Sequence, residues 1–171
     1  MSKICAVGIA ALLVGSLASV GQAADRATQP KAPGFPPAFP GLTLIYAASG
    51  VRDSGSAINT GVATSSHCTN WAASTQQVRY VVRNFDSTIV VNTTVNILAK
   101  RTHTASTHGT VAFNEDAFLS TGTLIEQGSV VISATSPNVT CSVSVIDAST
   151  AAPVGIDLHL VRSNPLPATQ E

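Results

Sequence analysis

Val139-Thr140-Cys141-Ser142-Val143-Ser144-Val145-Ile146-Asp147 alternates apolar and polar residues. That is the pattern of a strand with one face in a core and the other in water. The alternation places Val139, Cys141, Val143 and Val145 on one buried face and predicts this stretch as the central strand of an all-β domain. Its cysteine has a partner in Cys68, within Thr64-Ser65-Ser66-His67-Cys68-Thr69-Asn70. The pair is expected to pin two strands far apart in sequence.

The third cysteine, Cys5, belongs to a different kind of segment. Lys3 precedes an apolar run from Ile4 to Val20, and Gly21-Gln22-Ala23 then offers small residues where a signal peptidase reads. This is the pattern of a secretory signal peptide over residues 1–23. A membrane anchor is the alternative, but Gly and Ser interrupt the run and no positive stop-transfer flank follows it. Cys5 lies too early for a lipidated cysteine and is expected to leave with the signal.

Cleavage after Ala23 leaves a length that suits one domain. Removing Lys3 from nine basic residues leaves eight against nine acidic ones, a formal charge of minus one. Without a basic run, nucleic acid is not an expected partner. No second long apolar segment follows, so no membrane span is expected after processing. Charged residues are 11% of the chain, and abundant Ser, Thr and Asn suit a hydroxyl-rich secreted β-protein. In an oxidising compartment the two remaining cysteines allow one intrachain connectivity. Closing so long a loop stabilises a fold by roughly 4 kcal/mol on the chain-entropy model. Free thiols or metal ligands are the alternative, although neither cysteine has a second one close enough for a CxxC knuckle.

Residues 24–40 hold five of the nine prolines. They read as a stiff linker or ordered arm, because proline lacks the backbone donor and favours extended geometry. From Gly41 to Ser163 short strands follow one another as in an antiparallel β-sandwich, immunoglobulin-like or jelly-roll-like, of about 7–9 strands. The expected strands are Leu42 to Ala48, Gly61 to Thr69, Gln77 to Phe85, Thr88 to Ala99 and Lys100 to Phe113. Three more follow: Leu124 to Thr135 interrupted at Gly128, the Cys141 strand, and Gly155 to Ser163. Arg52 to Gly61 reads as a turn-rich loop. Val78, Tyr80 and Val82 should face inward with Arg79 and Arg83 outward, and Ile156, Leu158 and Leu160 should share a face opposite Asp157 and His159. Residues 164–171 form an aperiodic tail.

Several stretches together resemble a group of small secreted bacterial proteins of unknown function. They are Ser49-Gly50-Val51-Arg52-Asp53, Asn59 to Thr64, His67-Cys68-Thr69-Asn70, Val78 to Asn84, Thr107-His108, Gly128-Ser129-Val130 and the Cys141 strand. The resemblance covers most of residues 42–171 and implies a secreted β-domain, with no catalytic residue carried over. Bacterial pilus subunits are similar in being disulfide-pinned immunoglobulin-like domains. Here the cysteines are further apart and no C-terminal donor-strand signature is present.

Four histidines remain after processing: His67, His103, His108 and His159. Zinc or copper needs three or four ligands at about 2.0 to 2.3 Å. His103 and His108, an odd five apart, would face opposite ways on one regular strand. With His67 they are the only metal candidates, and the expectation is no metal and no cofactor. Glu115, Asp116 and Glu126 are the acidic cluster. Adjacent loop carboxylates diverge, so a turn cap or a weak cation contact is expected ahead of glycosidase chemistry. No Gly-x-Ser-x-Gly elbow supports a hydrolase triad. Trp71, the only tryptophan, is expected as a core lid beside the disulfide. Alternatively it stacks a sugar together with Tyr46 or Tyr80. Asn92-Thr93-Thr94 and Asn138-Val139-Thr140 are sequons with meaning only where a cell glycosylates exported chains.

The sequence thus leads to a secreted, periplasmic or extracellular, non-catalytic binding or structural module whose partner is a protein or a glycan. One alternative is an envelope or appendage subunit assembling by strand exchange through residues 24–40. A metal-dependent or hydrolytic enzyme is the other.

Overall fold

The computed structural model describes residues 41–55, 57–119 and 123–163. The expected signal peptide (1–23), proline-rich arm (24–40) and tail (164–171) lie outside the described residues. Ten strands occur among the described residues: β1 (Thr43–Asp53), β2 (Val62–Asn70), β3 (Gln76–Arg83), β4 (Ile89–Ile97), β5 (Thr102–Ser106), β6 (Ala117–Phe118), β7 (Ile125–Ala134), β8 (Val139–Asp147), β9 (Gly155–Asp157) and β10 (Val161–Arg162). They form two five-stranded sheets, ordered β10-β1-β7-β3-β4 and β6-β5-β2-β8-β9. Every pairing is antiparallel except the short β5–β6 contact. The architecture is the expected β-sandwich. Val51, Tyr80, Ile125 and Ile132 from the first sheet meet Cys68, Ala105, Val139 and Val143 from the second in one core.

The Cys141 strand is β8, and it is not central. β2 holds the middle of its sheet, with β8 between β2 and β9. Cys68 and Cys141 stand directly opposite on β2 and β8 and are bonded across a Cα separation of 4.1 Å. So short a separation fits the close, non-hydrogen-bonded kind of antiparallel pair. The disulfide therefore ties neighbours within one sheet and does not bridge the two layers. Val139 and Val143 are buried as expected, whereas Cys141 and Val145 are half-buried. β8 keeps an unbroken register with β2 to Asp147, so Ile146, also buried, lies on the face opposite Val143 and outside the core cluster.

β3 and β4 form the expected hairpin, and Val78, Tyr80 and Val82 are buried. Arg79 is not outward in the sense expected. It is only 6% exposed, because its stem lies along the outer sheet face while Nε donates to Asn92 Oδ1 at 2.8 Å. β1 runs on through Arg52 and Asp53, which the sequence reading placed in a loop. An irregularity in its pairing with β7 at Gly50, whose φ is +93°, lets it continue. β7 also runs unbroken through Gly128. The glycine is needed there because a Cβ would sit 2.6 Å from Ile125 Cγ2 and 2.8 Å from the Arg83 carbonyl oxygen.

Two further expectations are corrected. Of the stretch Lys100 to Phe113 only β5 is strand. Thr107 adds one more bond to β2, its N–H donating to the Thr64 carbonyl, and the chain then leaves the sheet, with the Val111 N–H donating to the Ala148 carbonyl. The stretch from Gly155 to Ser163 is two short strands in different sheets. The chain crosses between the layers at Leu158 and Leu160, both packed against the core, while Ile156, on the edge strand β9 opposite Val145, is 73% exposed and does not share their buried face.

Candidate functional site

Trp71 follows β2 and is 57% exposed, so it is no lid on the core. Its Nε1–H donates to Thr140 Oγ1 at 2.8 Å, its backbone N–H to the Asn138 carbonyl, and Lys100 Nζ donates to its carbonyl oxygen. Tyr46 is buried in the opposite sheet, with the Arg162 guanidinium 5.9 Å from its ring centroid. Tyr80 is buried in the core. The structure does not bring Trp71 and either tyrosine together as a stacking platform.

The histidines are scattered as well. His67 and its neighbour Cys68 point to opposite faces of β2. The ring of His67 meets Phe113 edge-on at 4.5 Å, and its Nδ1 is 3.0 Å from Thr104 Oγ1. Burial pushes its pKa below the ordinary value, against the pull of Glu115. His103 stands directly opposite Cys68, and paired residues of antiparallel strands share a face. His103 therefore lies on the core side beside the disulfide, where its Nδ1 is buried without a protein partner. Burial lowers its pKa too, with Asp116 opposing. Among the described residues no three His, Cys, Asp or Glu side chains are grouped to hold a metal ion.

His108 has the most definite surroundings. Nδ1 is 3.0 Å from Asp53 Oδ1, and Nε2 is 3.0 Å from the Thr60 carbonyl oxygen. A carbonyl only accepts, so Nε2 carries a hydrogen. Asp53 Oδ1 already accepts the Gly55 N–H at 2.7 Å. A further proton must then lie between Nδ1 and the carboxylate. An aspartate and a histidine in this arrangement resemble part of a hydrolase triad, yet the nitrogen that would activate a nucleophile is turned to a backbone carbonyl. The sequence reading missed Asp53 because it placed that residue in a loop.

The acidic cluster is spent on the backbone. Glu115 Oε1 accepts from Thr110 N and Oγ1, while Asp116 Oδ2 accepts from Thr104 N. Glu126 is exposed on β7. In the core, the Tyr80 hydroxyl has no partner at hydrogen-bonding geometry. Burial pushes its pKa up to about 12, although the Ser66 hydroxyl opposes the shift.

An open groove of about 590 Å³ lies where β8, β9 and the turn between them meet Arg52 near the end of β1 and Gly61 and Val62 at the start of β2. Val62, Val145, Ile146, Val154 and Ile156 supply its apolar lining, and Arg52 and Asp147 are its charged lining residues. Val154 and Ile156 are 70% and 73% exposed. Asp147 accepts from Ser149 N and Oγ, which hold its pKa below the usual carboxylate range. None of these groove residues was singled out from the sequence. The available signal was Val145-Ile146, two apolar residues in succession that break the alternation of β8.

No family model matches the chain, and no curated protein matches it. Among solved structures it is similar to one described as the crystal structure of Thermotoga maritima 1070. That likeness is 14% in identity over 69% of this chain and 91% of the other, with a TM-score of 0.39.

Proposed function

We propose that the chain is an exported, non-catalytic β-sandwich that binds a partner through the groove beside β9. The observation that carries this reading is the pairing of apolar side chains, Val145, Val154 and Ile156 among them, with the charged side chain of Arg52 in one groove. Such a surface, lined by both Arg52 and Asp147, suits an apolar protein or peptide segment that offers a carboxylate to the guanidinium and a donor to Asp147. Support for a non-catalytic role comes from the polar groups: His108 faces Asp53 and Thr60, Glu115 faces Thr110, and Asp116 faces Thr104. The disulfide fits an oxidising compartment. The apolar run before Ala23 supplies the route there.

The test is an NMR titration of the isotopically labelled chain with short apolar peptides ending in a free carboxylate. Shifts should gather at Val62, Val145, Ile146 and Ile156 and weaken in Arg52→Ala. Shifts gathered at Trp71 on adding oligosaccharides, with none in the groove, would replace this reading with a glycan-binding one.

A further inference from the structure

The four sheet edges differ in kind. β6, β9 and β10 are two or three residues long, whereas the edge strand β4 has nine. Short edges offer little to an incoming strand, and proteins usually guard longer ones with lysine, proline or inward charge. β4 reads Ile-Val-Val-Asn-Thr-Thr-Val-Asn-Ile, without a charge or a proline. Its one irregularity is the extra residue Val90 near its start, which leaves Val91 to Ile97 in regular register with β3. Among the described residues nothing pairs with its outer edge.

We propose that β4 is a self-association edge, pairing antiparallel with β4 of a second copy about a two-fold axis at Thr93. The sequence is self-complementary in that register. Val91 meets Val95 of the second copy, Asn92 meets Thr94, and Thr93 meets Thr93, each contact occurring twice except at the axis. Val91, Thr93 and Val95 lie on the core side of the sheet, and the latter two are only half-buried in the single chain. Pairing carries the apolar face across the axis and covers both. Thr–Thr and β-branched pairs are favourable cross-strand neighbours. Antiparallel self-pairing also matches charge: the first charges beyond β4 are Asp86 before it and Lys100 after it. Each end therefore brings the turn holding Asp86 of one copy toward the turn holding Lys100 of the other, which places opposite charges at both ends. The result is one continuous ten-stranded sheet with on the order of five new main-chain hydrogen bonds over Val91 to Val95.

A second copy is favoured over the arm at residues 24–40 as the added strand. With five prolines in that stretch, the arm lacks the donors a ladder needs. This inference does not depend on the groove.

The test is sedimentation of the processed chain, residues 24–171, against Thr93→Lys and Thr93→Glu, each checked for the native fold by circular dichroism. The unaltered chain should dimerise. Each variant alone places like charges together at the axis and should raise the dimer dissociation constant more than tenfold. Mixed one to one, the two variants should recover a heterodimer. An unaltered chain that stays monomeric overturns the proposal, as does a dimer indifferent to Thr93→Lys. A dimer lost on deleting residues 24–40 overturns it in favour of exchange through the arm.

Discussion

His108 Nδ1 lies 3.0 Å from Asp53 Oδ1, with both side chains buried. The contact fastens the end of β1 to the loop after β5, while the other ring nitrogen holds the Thr60 carbonyl. Removing one partner of such a pair strands the other. His108→Ala is expected to cost roughly 3–5 kcal/mol in urea unfolding, because Asp53 keeps only the Gly55 N–H. Asp53→Ala combined with His108→Ala should cost clearly less than the sum of the single changes. Strict additivity would show that the two groups do not act as a pair.

The Tyr80 hydroxyl makes the opposite prediction. It is fully buried and meets no group at hydrogen-bonding geometry, the Ser66 hydroxyl acting on it only weakly, so its removal sacrifices no well-formed intramolecular bond. Tyr80→Phe should leave stability within about 1 kcal/mol of the original or raise it. A loss well beyond that would reveal a bond at the hydroxyl.

Acid should weaken the domain through His67 and His103. Both have folded values below 6.5 because burial disfavours the imidazolium. The unfolded chain then takes up protons first. The contribution is full above 6.5 and is lost as pH falls from there through the folded values. Urea midpoints should drop between about pH 8 and about pH 5, with a smaller drop in the His67→Gln, His103→Gln double variant. An equal drop in both proteins would remove these histidines from the account of acid sensitivity.

Trp71 is the only tryptophan, so fluorescence reads it without interference. At 57% exposure its emission should lie at long wavelength and be quenched readily by acrylamide. Emission at short wavelength with little quenching would restore the core-lid placement.

Much of the sandwich was legible because alternation is a local property. β3 announces Val78, Tyr80 and Val82 as core residues, and the cysteine pair announces β2 and β8. Bends and crossings were less legible. Nothing local says that Leu158 and Leu160 carry the chain from one sheet to the other, or that β1 continues past Gly50 to place Arg52 at the groove. The burial of Trp71 was misjudged for a related reason. Adjacency to a core cysteine fixes where the backbone is, while the end of β2 decides that the ring leaves the sheet.

That the domain is exported and closed by one internal disulfide is tested most directly by the intact mass of protein recovered from the oxidising compartment. The expected species starts at Ala24, is lighter by the hydrogens lost on oxidation, and resists alkylation at Cys68 and Cys141 until reduced. A chain still beginning at Met1, with both sulfurs alkylated without reduction, would contradict it.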